Sequence, residues 1–318
     1  MLLHVMNVLE LLDTPHATGD TVSKHLAALA PADATIEVKT VAGDKGTTDF
    51  VTVVIPGSNG RRSGGSAPTL GIIGRLGGVG ARPELIGYVS DGDGATAAIA
   101  SAAKLLHMAT IGDRLPGDVI VSTHVCAWAP TEPHDPVPFM SSPVDIAAMN
   151  EHEVTDEMEA ILSIDTTKGN RVLNHRGVAI SPTVRQGYIL RTSEDLLSIL
   201  ESVTGEPARV LPLAQQDITP YGNGVHHLNS ILQPAAASTA PVVGVALTTV
   251  TAVAGCATGA SHETDIAAAA RFVIEVAKGY GAGIVDFHNE AEFDRMVGLY
   301  GSGTRFQTLG DSALAPTA

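Results

Sequence analysis

The sequence predicts an α/β fold: a mixed, mostly parallel central sheet flanked by helices. Three observations predict it. Short β-branched runs alternate with longer helical patterns, the arrangement that builds parallel sheets with crossover helices. Residues 36–40 and 50–55 alternate around a Gly-Asp-Lys-Gly turn and read as an antiparallel edge. Asp91, His124, Asp165 and His262 each fall just after a strand or in the loop leaving it, where sheets of this kind place their ligands.

Taken in order, Leu2, Leu3, Val5, Met6, Val8, Leu9, Leu11 and Leu12 recur at helical spacing, and Thr14-Pro15 stops that helix. Thr18-Gly19-Asp20 opens a second helix reaching Leu29, and residues 58–66 form a polar, Gly-rich surface loop. Residues 69–74 are a short buried strand that empties into Arg75-Leu76-Gly77. The turn Ser90-Asp91-Gly92-Asp93-Gly94 then precedes an alanine-rich helix over 95–108. Glycine there leaves room for a ligand, and a carboxylate opposes the positive end of the helix. Capping needs one carboxylate, and this turn presents two.

Strand 118–125 delivers His124 at its C-terminal end, and the proline-laden loop 129–143 holds Glu132, His134 and Asp135. Strand 160–165 ends on Asp165. Residues 178–182, 187–191, 210–213 and 241–248 read as further strands, with helices over 193–203 and 262–278. Residues 1–300 are expected to form one domain and 301–318 a flexible tail.

Composition narrows the function. Apolar residues are 44% and aromatics 4%, so the core is built from Ala, Val, Ile and Leu. Thirty-four acids against nineteen Lys and Arg leave a net charge of −15, which repels nucleic-acid phosphates. No apolar run approaches membrane-spanning length and no signal peptide is recognisable, so a soluble cytoplasmic protein is expected. Cys126 and Cys256 stand too far apart to suggest a disulfide framework or a thiolate metal site. Small-residue surfaces are compatible with a homo-oligomer.

The stretches APTLGIIGRLGGVGARPE, SDGDGA, ILSIDTTKGNR, QDITPYGNG and GCATGASHE resemble a family of uncharacterised prokaryotic proteins known only as a domain of unknown function. A more distant resemblance is to the co-catalytic zinc exopeptidases, the aminopeptidase and carboxypeptidase superfamily, with their three-layer hydrolase-like sandwich. The opening helix with Thr14-Pro15-His16-Ala17-Thr18-Gly19-Asp20 is similar to theirs, and Asp91 with its small-residue helix is similar to their bridging aspartate. Asp165 sits where they place a later carboxylate ligand, Asp217 resembles their Gly-Gly-Thr-Asp turn, and His262 falls where their last histidine begins the final helix. Two elements depart from that pattern. Arg75-Leu76-Gly77 replaces their His-x-Asp, and Thr123-His124-Val125 replaces their Glu-Glu.

The resemblance therefore implies one ion, zinc or another divalent metal, rather than two, held by Asp91, His124, Asp165 and His262. Glu132 or His134 would serve as base, with Arg75, Asp93 and Asp217 binding substrate. The expected function is a metal-dependent hydrolase of an amide or peptide-like small molecule. The alternative is a degenerate relative that binds a small acidic ligand through Arg75 and Arg82 without hydrolysis. Each residue also has a structural reading. His124 can be a hydrogen-bonded core histidine, His262 a helix-start cap, and Glu132 and His134 solvated loop residues. Asp165 can be a turn carboxylate paired with Lys168, and Arg75 an internal partner of Asp91 or Asp93.

Overall fold

Four of the described helices begin where a side-chain oxygen closes the first turn, that of Thr18, Asp145, Ser193 or Asn289. In a computed structural model, which describes residues 1–311, α1 spans Leu2–Leu12 and α2 Gly19–Ala27. Thr18 accepts from the Thr21 amide at 3.2 Å to open α2. α3 covers Asp93–Thr110, and α4, Ile146–Glu153, is capped by Asp145, which accepts from Ala148 N at 2.8 Å. α5 is Glu194–Thr204, α6 Glu263–Gly281 and α7 Glu290–Tyr300, the last capped by Asn289.

The strands are β1 (Thr35–Gly43), β2 (Gly46–Ile55), β3 (Leu70–Gly74), β4 (Val119–Val125), β5 (Thr131–Glu132) and β6 (Phe139–Met140). They continue as β7 (Ala160–Thr166), β8 (Gly177–Ile180), β9 (Val184–Arg185), β10 (Tyr188–Ile189) and β11 (Val242–Thr248). Nine of them form one sheet in the order β1-β2-β4-β3-β7-β11-β9-β10, with β8 also pairing to β11; β5 and β6 make a separate hairpin. The four central strands, β4, β3, β7 and β11, are mutually parallel. Antiparallel partners flank them on both sides, β2 on β4 and β8 on β11.

Strand alternation sorts the core onto two faces. Ile72, Val121, Leu162, Ile164, Val243 and Val245 pack on one side with residues of α1, α3 and α6. Ile73, Ile120, Ile161, Val242 and Ala246 face the other way, toward Leu211, Ile218 and Ile231. With both faces covered, the central strands read as continuous apolar runs. The alanines of α3 let its backbone come close. A Cβ added at Gly94 would lie 1.9 Å from the Arg75 carbonyl oxygen and 2.5 Å from that of Ile164, so only glycine fits there.

The topology fixes where a ligand belongs. From β3 the chain passes through α3 to β4 on one side, then returns to β7 on the other side of β3. Beyond the carboxyl ends of β3 and β7 the direction reverses, which opens a crevice in sheets of this kind.

Several expectations change. Residues 210–213 are not a strand, because only a single bridge, Ile180 to Val210, forms there. α4 and α7 were not anticipated. Residues 301–311 lie against the body: Gln307 Nε2 donates to the carbonyls of Ala235 and Ser238, both at 2.7 Å. The remainder of the expected tail, 312–318, lies outside the described residues. No described helix is long and apolar enough to cross a membrane.

Candidate functional site

Asp165 is the next-to-last residue of β7, on the same face as Ile161 and Ser163. Its Oδ1 accepts from the Thr166 amide and its Oδ2 from the Ser230 hydroxyl, both at 2.7 Å. Burial raises its pKa to about 6, against the opposing pull of those bonds and of the Arg75 charge.

Asp91 lies in the 3-10 turn Ser90–Gly92 that leads into α3. That turn is sewn to its neighbours: Ser90 N donates to Thr258 O at 2.7 Å, and Thr166 Oγ1 to Ser90 O at 2.8 Å. The loop after β11 and the end of β7 thus hold it over the crevice. Asp91 Oδ2 is buried and has no hydrogen-bond partner among the described residues. Burial, then the charges of Asp165 and Asp93, push its pKa well above the carboxylate range, with Lys168 opposing.

Asp93 opens α3. Its Oδ1 accepts from Ser261 Oγ, and its Oδ2 stands 3.8 Å from Lys168 Nζ. Burial lifts its pKa to about 7 despite that ammonium. Lys168 also donates to Ala260 O at 3.0 Å, and burial lowers its pKa. Asp91 therefore feels the charges of Asp165, Asp93 and Lys168 together at the carboxyl ends of β3 and β7.

Beside Asp165 runs a second buried network. The Gly77 amide donates to His124 Nε2 at 3.0 Å, so Nδ1 carries the proton and donates to Glu153 Oε1 at 2.5 Å. The other Glu153 oxygen lies 2.5 Å from Arg75 Nε, and Arg75 Nη2 donates to Asn150 Oδ1 at 2.7 Å. Arg75 and Glu153 are both 0% exposed. Arg75 is thus paired inside the protein with Glu153, not with Asp91 or Asp93 and not facing a substrate. Both ring nitrogens of His124 are engaged, which leaves no lone pair for a metal.

The other expected residues have different surroundings. His262 is the residue before α6; its carbonyl accepts from Asp265 N and Ile266 N at 3.0 Å, and its side chain makes no cap bond. Glu132 is exposed and pairs with Lys45 at 2.8 Å, and His134 donates from Nδ1 to Val137 O at 3.1 Å. Asp217 closes a 3-10 turn, Gln215–Ile218, by accepting from Ala214 N at 2.8 Å and Leu228 N at 3.2 Å. Among the described residues no three His, Cys, Asp or Glu side chains are grouped so that they could hold a metal ion. Asp91 and Asp165 are brought together; His124 and His262 do not join them.

Sequence reasoning missed Glu153, Asn150 and Ser230. The signal for Glu153 was its place four residues after Met149, both buried on one side of α4. It missed Tyr221 as well, whose phenol burial, Asp165 and Asp217 hold protonated. Two grooves approach the cluster. One includes Met6, Ile86, Tyr88 and Ser261, the partner of Asp93, and the other includes Leu76, Met149 and Tyr221.

A family model described as a protein of unknown function (DUF1177) matches residues 39–310. No curated protein matches the chain. Among solved structures, the chain is similar to one described as the bottromycin maturation enzyme BotP in complex with Mn. That similarity has a TM-score of 0.49 at 14% sequence identity, covering 88% of this chain and 71% of that one.

Proposed function

Because this chain belongs to the DUF1177 family of proteins of unknown function, its activity must be read from its own site, and we propose a hydrolase of an amide or peptide-like small molecule that works with one divalent cation held by Asp91 and Asp165. One observation carries this reading: Asp91 Oδ2 is buried, without a partner among the described residues, and crowded by two like charges. A buried carboxylate in that state costs free energy unless a proton or a cation joins it. Thr167 Oγ1, two residues after Asp165 in the chain, is a further buried oxygen with no hydrogen-bond partner among the described residues. Carboxylate and hydroxyl oxygens suit Mg²⁺, Mn²⁺ or Ca²⁺ better than the imidazole and thiolate sets that favour zinc.

When bound, such a cation would polarise a substrate carbonyl and ease the deprotonation of water. Asp93, with a pKa of about 7, is the general base of this reading, since it can take and return a proton near neutrality. Lys168 and Ser261 orient it. Tyr221, kept protonated, is a hydrogen-bond donor for a carbonyl oxygen as negative charge develops there. The acidic-ligand alternative loses one of its two anchors, because Glu153 engages Arg75 in the interior, while Arg82 Nη1 donates to the Ala127 carbonyl at 3.2 Å.

The test is calorimetric titration of chelator-stripped protein with Mn²⁺, Mg²⁺ and Zn²⁺, beside the Asp91→Asn variant. We expect one ion per chain in the wild type and none in the variant. A wild-type protein that takes up no divalent ion at about 1 mM would end the metal reading.

A further inference from the structure

Between the end of α5, β8 and the start of α6 runs a groove of about 370 Å³ that the hydrolase reading does not use. Val178, Leu200 and Val203 give it an apolar floor, and Arg176, Arg209 and Arg271 line it with positive charge. In this chain of net charge −15, most arginines are met by a carboxylate. Arg61, Arg62, Arg114, Arg185 and Arg191 each pair with an acid. Arg209 and Arg271 are exposed, and no described side chain forms an ion pair with either.

The acids in the groove do not neutralise them. Asp265 is taken by Arg176, whose Nε lies 3.0 Å from its Oδ2 and whose Nη2 also donates to Thr264 Oγ1 at 3.0 Å. Glu206 is the one other carboxylate lining it, against three guanidiniums and His175. Thr264 lies in the first turn of α6, a nineteen-residue helix with no side-chain cap, so the positive end of its dipole adds to the same field.

We propose that this groove binds a small dianion with a short hydrocarbon body. Arg209 and Arg271 take its charged oxygens, and Val178, Leu200 and Val203 take the chain. Guanidinium forks suit both carboxylate and phosphate oxygens, and the volume matches the small end of ligand pockets. The ligand is thus a dicarboxylate or an alkyl phosphate, and the site is separate from the aspartate cluster.

Thermal unfolding with adipate and with butyl phosphate separates the two sources, with sodium chloride at equal ionic strength as the control. One of the two should raise Tm saturably, by about 2–4 °C at roughly ten times its Kd, and the chloride should not. The Arg209→Glu/Arg271→Glu variant should lose the response. Should charge reversal unfold the chain, Arg209→Gln/Arg271→Gln followed by calorimetry repeats the test. No response to either anion, an equal response to chloride, or a response retained in the variants would overturn the proposal.

Discussion

Replacing Asp91 by asparagine removes a carboxylate crowded by Asp165 and Asp93 while leaving the side chain's shape. In chelator at pH 8 the Asp91→Asn variant should therefore be more stable than wild type, as a higher urea midpoint will show. Glu153 behaves in the opposite way, because it holds Arg75 and His124 together in the interior. Glu153→Gln should destabilise by about 3–5 kcal/mol, the usual result of leaving a buried charge unpaired, and the same urea titration measures it. Asp91 and Asp165 were legible in the sequence because a carboxylate at a strand end or helix start announces itself locally. The state of His124 was not, since it depends on Glu153, 29 residues away on α4, and on the Gly77 amide, 47 residues away.

Elements with a strong periodic or β-branched pattern were legible too: α1, α3, α6 and the central strands. α4 was hidden because only Met149 and Glu153 are buried on it, so it lacks an apolar stripe. α7 carried a readable start, Asn289 accepting from Glu292 N at 3.0 Å, but Phe293 is its one buried residue. The glycine that precedes the alanines of α3 sets a sharper demand than any of these patterns. Gly94→Ala should cost about 3 kcal/mol or more, since its methyl group would meet two backbone carbonyls that cannot move aside. Thermal unfolding checks the stability, and cation titration should show weakened binding in the same variant.

For the molecule as a whole, the three buried aspartates link folding to pH. Their native pKa values lie above the unfolded value of 3.8, at about 6 for Asp165, about 7 for Asp93 and well raised for Asp91. The native state therefore binds more protons than the unfolded state through that interval, and stability falls as pH rises. In chelator, Tm should decline from about pH 4 to about pH 7, and a bound divalent cation should flatten the decline. The parallel sheet itself was predictable from alternating strands and helices. Its order was not, because placing β4 and β7 on opposite sides of β3 is decided by contacts between remote segments. With α3 seated hard against the strand ends at Gly94, Asp91 has no room to retreat from Asp165 and Asp93. Crowding set at folding leaves two ways to relax, protonation or ion uptake, and each displaces the other. Adding Mn²⁺ to a weakly buffered solution at about pH 6 should accordingly make it more acidic, by an amount that counts the protons expelled.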